Sequence, residues 1–178
     1  MKEIVQEGAL VLREVAEPVP EELFGEKELA RLIKHMEDAL ESEPEGVALA
    51  APQIGVPYRL FIVRKDRTLP SYSSTSEDSS SQRISPETEV YINPEIIKTS
   101  RKRARSDEGC LSVRGIYGTT LRHERVSVRA RRFDGSRFER GAGGLLAQIF
   151  EHEIDHLNGI LFVDHAEHLI RVTHESEE

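Results

Sequence analysis

The chain has 178 residues, enough for one domain with a sizeable core and too few for two comfortable ones. Apolar residues make up 38% and charged residues 31%, a balance that does not fit a fibre or a membrane protein. The 24 Lys and Arg against 32 Asp and Glu give a formal net charge of −8, which argues against broad electrostatic binding to nucleic acid or anionic lipid. With one cysteine and no recognisable signal or transit peptide, we expect a cytoplasmic protein without a disulfide.

The predicted elements begin with a looped N-terminal stretch that runs to Phe24. Apolar residues then recur three and four positions apart between Glu26 and Leu40, which predicts an amphipathic helix. The run Arg59–Val63 is typical of a buried strand. Residues 66–87 contain eight serines and almost no apolar residue, so we expect a flexible surface insertion whose two ends lie close together.

Strand-like sequence resumes after the insertion. Three short segments there are typical of strands, namely Glu89–Ile92, Ile96–Lys98 and Thr119–Leu121. Between Arg125 and Arg131, apolar and polar residues alternate with the period of a half-buried strand. The turn dipeptide Asp134-Gly135 then predicts a hairpin that returns through Arg137–Arg140.

A helix is predicted from about Leu145 to Leu157, closed by Asn158-Gly159 and followed by a polar tail from about residue 165. Strands followed by a late helix indicate an α+β fold. We therefore predict a single domain over residues 1–178, with antiparallel strands packed around the C-terminal helix and with the amphipathic helix near the N-terminus.

The strongest chemical signal is His152-Glu153-Ile154-Asp155-His156, an HExxH motif on the predicted helix. Residues four apart lie about 40° apart around a helix, so both imidazoles face one way and can bind one metal ion. Glu153 can then reach a water beside that ion without ligating it. The alternative interpretation is an exposed helix face that carries two histidines.

A metal site needs a third ligand, and two parts of the chain offer one. His165 and His168 follow the helix, but they lie in the polar tail, where solvated side chains are the ordinary case. Cys110 lies upstream, and a lone cysteine is most often a small buried hydrophobe. Gly109 beside it allows an unusual backbone conformation, and one Cys with two His is a known catalytic set that leaves a position open for water.

Three blocks of the sequence together resemble the peptide deformylase family. They occur in the family's order and approximate spacing, and they are Gly46-Val47-Ala48-Leu49-Ala50-Ala51-Pro52-Gln53-Ile54-Gly55, Glu108-Gly109-Cys110-Leu111-Ser112, and the HExxH motif with Leu157-Asn158-Gly159. The resemblance implies a metal-dependent amidohydrolase that removes the N-formyl group from the N-terminal formyl-methionine of new polypeptides and releases formate. It is also the sole ground for expecting contact with the ribosome.

The resemblance implies a role for each residue at the reacting centre. Cys110, His152 and His156 match the metal ligands, and the ion is Fe²⁺ in most members, with Zn²⁺, Ni²⁺ or Co²⁺ as alternatives. Glu153 matches the general base that moves a proton from water to the leaving amine.

Further residues match groups that support the reaction. The backbone N–H of Leu111 and the side-chain amide of Gln53 match donors that stabilise the oxyanion. Glu108 matches a carboxylate that orients neighbouring groups, and Arg122 is the expected cation beside it.

The same resemblance suggests where the substrate lies. Leu145 and Ile149 share a helix face with the two motif histidines, and with Val47 and Gln148 they match the pocket for the methionine side chain. Plain core packing is the alternative interpretation for these residues. The peptide beyond methionine is expected to pair in a strand-like way with Gly46–Ala48.

Several positions depart from the family's common pattern. Ala48 adds a methyl group where substrate backbone approaches, Glu151 adds a negative charge near the site, and Gln148 places an amide in an apolar pocket. Arg114 and Tyr117 replace a proline and an arginine of many members. These departures bear on substrate preference and rate rather than on the type of reaction.

Two other functions stay open at this point. One is a metallopeptidase that uses HExxH with a downstream ligand, which would keep its metal in a Cys110→Ala variant. The other is a divergent or structural metal domain that binds peptide without turnover.

Overall fold

The computed structural model describes residues 3–68 and 87–173. Most of the predicted Ser-rich insertion therefore falls outside the described residues, as does the end of the predicted polar tail. The two ends of the insertion lie together, since the N–H of Lys65 donates to the carbonyl of Glu87 at 2.7 Å. Among the described helices, none has the length and apolar character that crossing a membrane would need.

The described strands form two antiparallel sheets. In chain order the strands are β1 (Ala48–Ala50), β2 (Leu60–Arg64), β3 (Thr88–Thr99), β4 (Arg103–Cys110), β5 (Val113–His123), β6 (Arg125–Arg131), β7 (Arg137–Gly143) and β8 (Glu167–Arg171). The larger sheet has the order β1-β2-β3-β6-β7, and the smaller has the order β4-β5-β8. The helices are α1 (Lys27–Glu41), the short α2 (Lys65–Thr68) and α3 (Gly144–Leu157).

The larger sheet lies between α1 and α3 because the side chains of β2 alternate between its two faces. Leu60 and Ile62 pack in one apolar cluster with the buried residues of α1. Phe61 packs in the other cluster with Tyr91 and with Phe150 of α3. The rings of Phe61 and Tyr91 stack with centroids 4.7 Å apart. Helix α3, which carries the HExxH motif, is thus fixed through its apolar side.

The predicted α+β fold, with antiparallel strands, an N-terminal amphipathic helix and a C-terminal motif helix, is confirmed. Three strands were not predicted, namely the short β1, β4 and β8. Half of the residues of strand β4 are charged, and its alternation of large polar and small residues gives no hydrophobic signal. Strand β8 lies inside the expected polar tail: its five residues are exposed, and pairing with β5 rather than burial orders them.

The segments predicted at Glu89–Ile92 and Ile96–Lys98 belong to one strand, β3. Its pairing with β6 shifts register between Ile92 and Glu95, where Asn93 adopts a φ of 49°. The side-chain oxygen of Asn93 accepts from the N–H of Val19, which anchors the N-terminal stretch there. This irregularity explains why the sequence predicts two separate strand segments where the structure has one strand.

Candidate active site

Helix α3 presents His152 and His156 on one face, one turn apart. Their Nε2 atoms lie 3.2 Å from each other. Residue 156 is 1% exposed, and burial lowers the pKa of its imidazole well below the usual value. A neutral imidazole with a free Nε2 lone pair is the form that binds a metal ion.

Cys110 reaches the two imidazoles from the end of β4. The register of β4 against β5 shifts between Gly109 and Cys110, which re-aims the thiol. A Cβ on Gly109 would lie 2.7 Å from the ring of Tyr117, so glycine is needed for this close approach. The Sγ of Cys110 lies 3.3 Å from Nε2 of His156, and the three candidate ligand atoms lie within 4.8 Å of one another.

These three residues fit one divalent ion. A tetrahedral ion at about 2.0–2.1 Å from nitrogen and about 2.3 Å from sulfur places its ligand atoms roughly 3.3–3.6 Å apart. The observed separations of 3.2 Å between the nitrogens and 3.3 Å between sulfur and nitrogen are close to that. Among the described residues, neither His165 nor His168 belongs to this group of ligand atoms, and His168 lies in the exposed strand β8.

The buried carboxylate of Glu108 contacts the ring nitrogen Nδ1 of His152. Its Oε1 lies 2.5 Å from Nδ1 of His152 and also accepts from Nη2 of Arg122 at 2.5 Å. Its Oε2 accepts from Thr120, from Nε of Arg122 and from the amide of Gln148, at 2.6, 3.1 and 3.3 Å. A carboxylate at Nδ1 places the ring proton there and leaves Nε2 free for a metal.

The charge of Glu108 is stabilised in spite of its burial. Burial alone would raise its pKa, but the hydrogen bonds and charges of His152 and Arg122 outweigh that effect and lower the pKa. Arg122 is itself held on its other side by Asp155, at 2.8 Å from Nη1. The carboxylate of Glu108 is therefore ionised throughout the neutral range. It is held in place by His152 of α3 and by Arg122 of β5.

Glu153 lies in the same buried region and differs from Glu108 in its partners. It is 4% exposed, and its Oε2 has no hydrogen-bond partner among the described residues. Burial, together with the nearby charges of Glu108 and Asp155, raises its pKa to about 7. A carboxyl group of this pKa can both accept and return a proton near neutral pH.

Gln53 approaches the cysteine from the 3-10 turn that follows β1. Its Oε1 accepts from the N–H of Ala50 at 2.9 Å, which fixes the amide plane. Its Nε2 donates to Oγ of Ser112 at 3.1 Å and faces Sγ of Cys110 at 3.7 Å. An amide donor is thus aimed beside the candidate metal position. Leu111, the other predicted oxyanion donor, directly follows Cys110 in the turn between β4 and β5.

The predicted substrate residues separate into two groups. Gln148 and Leu145 line a cavity of about 680 Å³ together with Ser106 and Arg122. Ile149 is 5% exposed and packs in the main apolar cluster, and Val47 packs against the same cluster. Gly46–Ala48 lead into β1, an edge strand of the larger sheet whose second side is not paired with any described strand.

The carboxylate of Glu151 is bound to His123. Its carboxylate accepts from the backbone N–H of His123 at 2.9 Å and lies 2.5 Å from Nδ1 of the same residue. The pair joins α3 to the end of β5, next to Arg122. Arg114 likewise forms an ion pair away from the site, at 2.6 Å from Glu43.

Three residues at this site were not predicted from the sequence, namely Ser112, Thr120 and Asp155. The N–H of Ser112 donates to Sγ of Cys110 at 3.4 Å, in addition to the contact of its hydroxyl with Gln53. Thr120 was within reach of pattern reasoning, because it shares a face of β5 with Arg122 at a spacing of two. Asp155 lies inside the HExxH motif, but its contact with Arg122 depends on tertiary structure.

Comparison with known proteins decides the family. The polypeptide deformylase family model matches residues 1–172. The chain belongs to this family. It is 42% identical over 160 residues to a peptide deformylase of Hydrogenovibrio crunogenus, covering 90% of the chain and 82% of the relative. The family predicted from the three sequence blocks is therefore confirmed.

Plant relatives and solved structures extend the comparison. The chain is 36% and 37% identical to peptide deformylases 1A of Solanum lycopersicum and Arabidopsis thaliana over 92% of its length, and it spans about three fifths of theirs, 59% and 61%. The actinonin-bound class I type b peptide deformylase of Acinetobacter baumannii superposes with a TM-score of 0.78 at 32% identity, covering 92% of this chain and 97% of that one. The same enzyme bound to Met-Ala-Ser gives a TM-score of 0.76 at 32% identity, with coverage of 91% and 96%.

Proposed function

We propose that the protein is a peptide deformylase, a metal-dependent amidohydrolase that removes the N-formyl group from formyl-methionine peptides and releases formate. The observation that carries this proposal is the approach of Cys110, His152 and His156 within 4.8 Å, with Glu153 buried beside them. Membership of the deformylase family supports it. The metallopeptidase alternative with a downstream ligand is disfavoured because His165 and His168 are not in the group of candidate ligand atoms among the described residues.

The proposed metal ligands are Cys110, His152 and His156. A thiolate and two imidazoles suit several divalent ions, and family resemblance favours Fe²⁺ over Zn²⁺, Ni²⁺ or Co²⁺. When bound, such an ion supplies positive charge and makes hydroxide available near neutral pH. Glu108 and Arg122 would hold His152 in the tautomer that this ligation needs.

Glu153 is the proposed proton carrier. Its pKa of about 7 lets it accept a proton from the attacking water and deliver the proton to the amine as the bond between the formyl carbon and the nitrogen breaks. The products are then formate and a peptide with a free N-terminus. Because the group is 4% exposed, bulk water does not compete for this proton.

Gln53 and Leu111 are the proposed donors to the oxyanion that forms on the formyl oxygen. Nε2 of Gln53 is already aimed at Cys110, and its orientation is fixed at both ends by Ala50 and Ser112. A donor held in place before reaction is typically worth about 3–4 kcal/mol of barrier. The backbone N–H of Leu111, one residue beyond the cysteine, would donate from the other side.

The substrate would enter along the edge of β1. Residues Gly46–Ala48 would pair with the peptide backbone, and Leu145 and Gln148 would contact the first side chain. Val47 and Ile149 would support these contacts from the main apolar cluster. The binding of Met-Ala-Ser by the Acinetobacter baumannii enzyme supports peptides of this kind as ligands. Since these peptides are nascent chains, we also propose a cytoplasmic location and transient contact with the ribosome.

The decisive test is formate release from formyl-Met-Ala-Ser by protein loaded with Fe²⁺ under exclusion of oxygen. We expect turnover by the parent chain and a loss of at least about 100-fold in Glu153→Ala, with metal content unchanged. The exposed Glu139→Ala variant is the matched control for removal of a carboxylate. Turnover by Glu153→Ala at the parental rate would contradict the role of Glu153, and no formate from the parent would favour a domain that binds peptide without turnover.

A further inference from the structure

The segment that leads into β1 runs beside the candidate metal ligands. A Cβ on Gly46 would lie 3.1 Å from Cδ1 of Leu111, the residue that follows Cys110. At the other end of β1, the N–H of Ala50 holds the amide of Gln53, whose Nε2 faces the sulfur of the cysteine. The edge of β1 therefore lies next to the cysteine and to both proposed oxyanion donors.

The backbone groups of alternate residues in this segment point to opposite sides. The N–H of Arg64 in β2 donates to the carbonyl of Val47 at 2.8 Å, so the carbonyl of Val47 faces β2. In an antiparallel pair, the next residue along turns its N–H and C=O away from the partner strand. Ala48, which lies opposite Val63, therefore directs both groups to the open edge of the sheet. There they can bond to one residue of an extended peptide.

Gly46 uses both of its backbone groups within the protein. Its N–H donates to the carbonyl of Glu43 at 2.9 Å, and its carbonyl accepts from Nη1 of Arg67 at 2.7 Å. The same nitrogen of Arg67 donates to the carbonyl of Glu43 at 2.9 Å and lies 3.4 Å from the carbonyl of Leu40, in the last turn of α1. Arg67 thus joins the end of α1 to the residue two positions before Ala48.

The guanidinium of Arg67 is well placed to hold this segment. Arg67 lies in the short α2, where the Ser-rich segment begins, and its side chain is 19% exposed. Its Nη2 lies 3.5 Å from the carboxylate of Glu41, so an opposite charge also orients the group. A planar guanidinium donates in several fixed directions at once, which a lysine ammonium cannot reproduce. One side chain therefore ties the segment before β1 to α1.

We propose that Arg67 is a positioning residue for the substrate: it fixes Gly46 and thereby places the N–H and C=O of Ala48 where the backbone of the formylated peptide pairs. Its effect is on the binding of peptides that continue beyond the first residue, and not on the reaction at the formyl group. This inference rests on the proposed deformylase function and on the pairing of the peptide with β1.

The test compares formate release from formyl-Met-Ala-Ser and from the methyl ester of formyl-methionine, which has no peptide N–H beyond its first residue. The measured quantity is the ratio of kcat/KM for the tripeptide to kcat/KM for the ester. Loss of one uncharged hydrogen bond corresponds to roughly a fivefold factor, so we expect Arg67→Ala to lower this ratio about fivefold. The change should lie in KM for the tripeptide, with kcat within about twofold of the parental value.

Arg64→Ala is the matched control, because Arg64 has the same charge and contacts the same Glu41, but its other side-chain partner is Asp66 rather than a carbonyl before β1. It should leave the ratio unchanged. Arg67→Lys should give a ratio between those of the parent and Arg67→Ala, and it carries the test if Arg67→Ala does not fold.

A fall in the ratio of about twofold or more that is confined to the Arg67 variants and lies in KM supports the proposal. A smaller fall, an equal fall in Arg64→Ala, or a loss of kcat on both substrates overturns it. No formate from either substrate with the parent chain would instead overturn the deformylase function itself.

Discussion

Oε1 of Glu108 lies 2.5 Å from Nδ1 of His152, although 44 residues separate the two in sequence. This contact joins the strand that ends in Cys110 to the helix that carries both histidines. It fixes which nitrogen of His152 carries the proton and therefore which nitrogen is free for a metal. The orientation of the candidate ligand His152 therefore depends on a buried carboxylate as well as on the HExxH helix.

We predict that Glu108→Gln lowers the affinity for one divalent ion by about 10- to 100-fold. Glutamine has one acceptor oxygen where the carboxylate has two, and its NH₂ group would face the donors of Arg122 and His152. The measurement is a Co²⁺ or Zn²⁺ titration of the metal-free protein against a chelator. Glu139→Gln, a change at an exposed carboxylate, should bind metal like the parent, and equal affinities in all three proteins would contradict the prediction.

The pair of Glu151 and His123 should contribute to stability independently of catalysis. Glu151→Ala leaves the N–H of His123 without its acceptor, at a cost of about 1–3 kcal/mol in unfolding free energy. Glu151→Gln keeps an acceptor oxygen and should cost less. A double-mutant cycle in urea with His123→Ala should show coupling of at least about 0.5 kcal/mol. Additive effects would mean that the two side chains do not interact.

Gly159 should tolerate no side chain. It has a φ of +75°, and a Cβ would lie 2.5 Å from the carbonyl oxygen of Arg13. We expect Gly159→Ala to lower the unfolding free energy by about 3 kcal/mol or more, from strain and contact together. Gly25, with a φ of +78° and no atom within 4 Å of its Cβ position, separates the two causes. Gly25→Ala should cost only about 1–2 kcal/mol. Equal losses in the two variants would mean that the contact with Arg13 does not contribute to the effect of Gly159→Ala.

The ion pair of Arg13 and Asp164 should stabilise the fold only above the acidic range. The hydrogen bond from Arg13 lowers the pKa of Asp164 below its unfolded value of about 3.9. Its stabilisation is therefore fully present above that value and is lost as pH falls through the folded pKa. Both side chains are more than one third exposed, so Arg13→Ala should cost at most about 1 kcal/mol at pH 7. Urea unfolding should show this difference shrinking below pH 4, and a constant difference down to pH 3 would contradict the account.

The elements that could be predicted from the sequence are those in which the spacing of apolar residues shows which side is buried. Helix α1 and helix α3 have apolar positions three and four apart, and β6 alternates with a period of two. Strand β4 carries charges on one side and small residues or Glu108 on the other. Strand β8 is exposed along its whole length, so pairing alone defines it. Neither pattern differs from that of a loop until the partner strand β5 is known.

The candidate site also combines features that the sequence shows with features that depend on the fold. The HExxH spacing places two imidazoles on one helix face without any knowledge of the fold. The approach of Cys110 depends on the irregular pairing at Gly109, and the contact of Ser112 with Gln53 joins residues 59 positions apart. The contact of Glu151 with His123 could not be predicted either, because local sequence does not show that the two residues lie side by side.

The central claim is that one sulfur and two imidazole nitrogens hold a single ion. Anaerobic loading with Co²⁺, followed by visible absorption and metal analysis, tests it most directly. The account predicts one ion per chain and a sulfur-to-cobalt absorption band, both lost in Cys110→Ala and retained in Ser106→Ala. Full retention of metal by Cys110→Ala would contradict the account and restore a site built from the HExxH helix with another ligand.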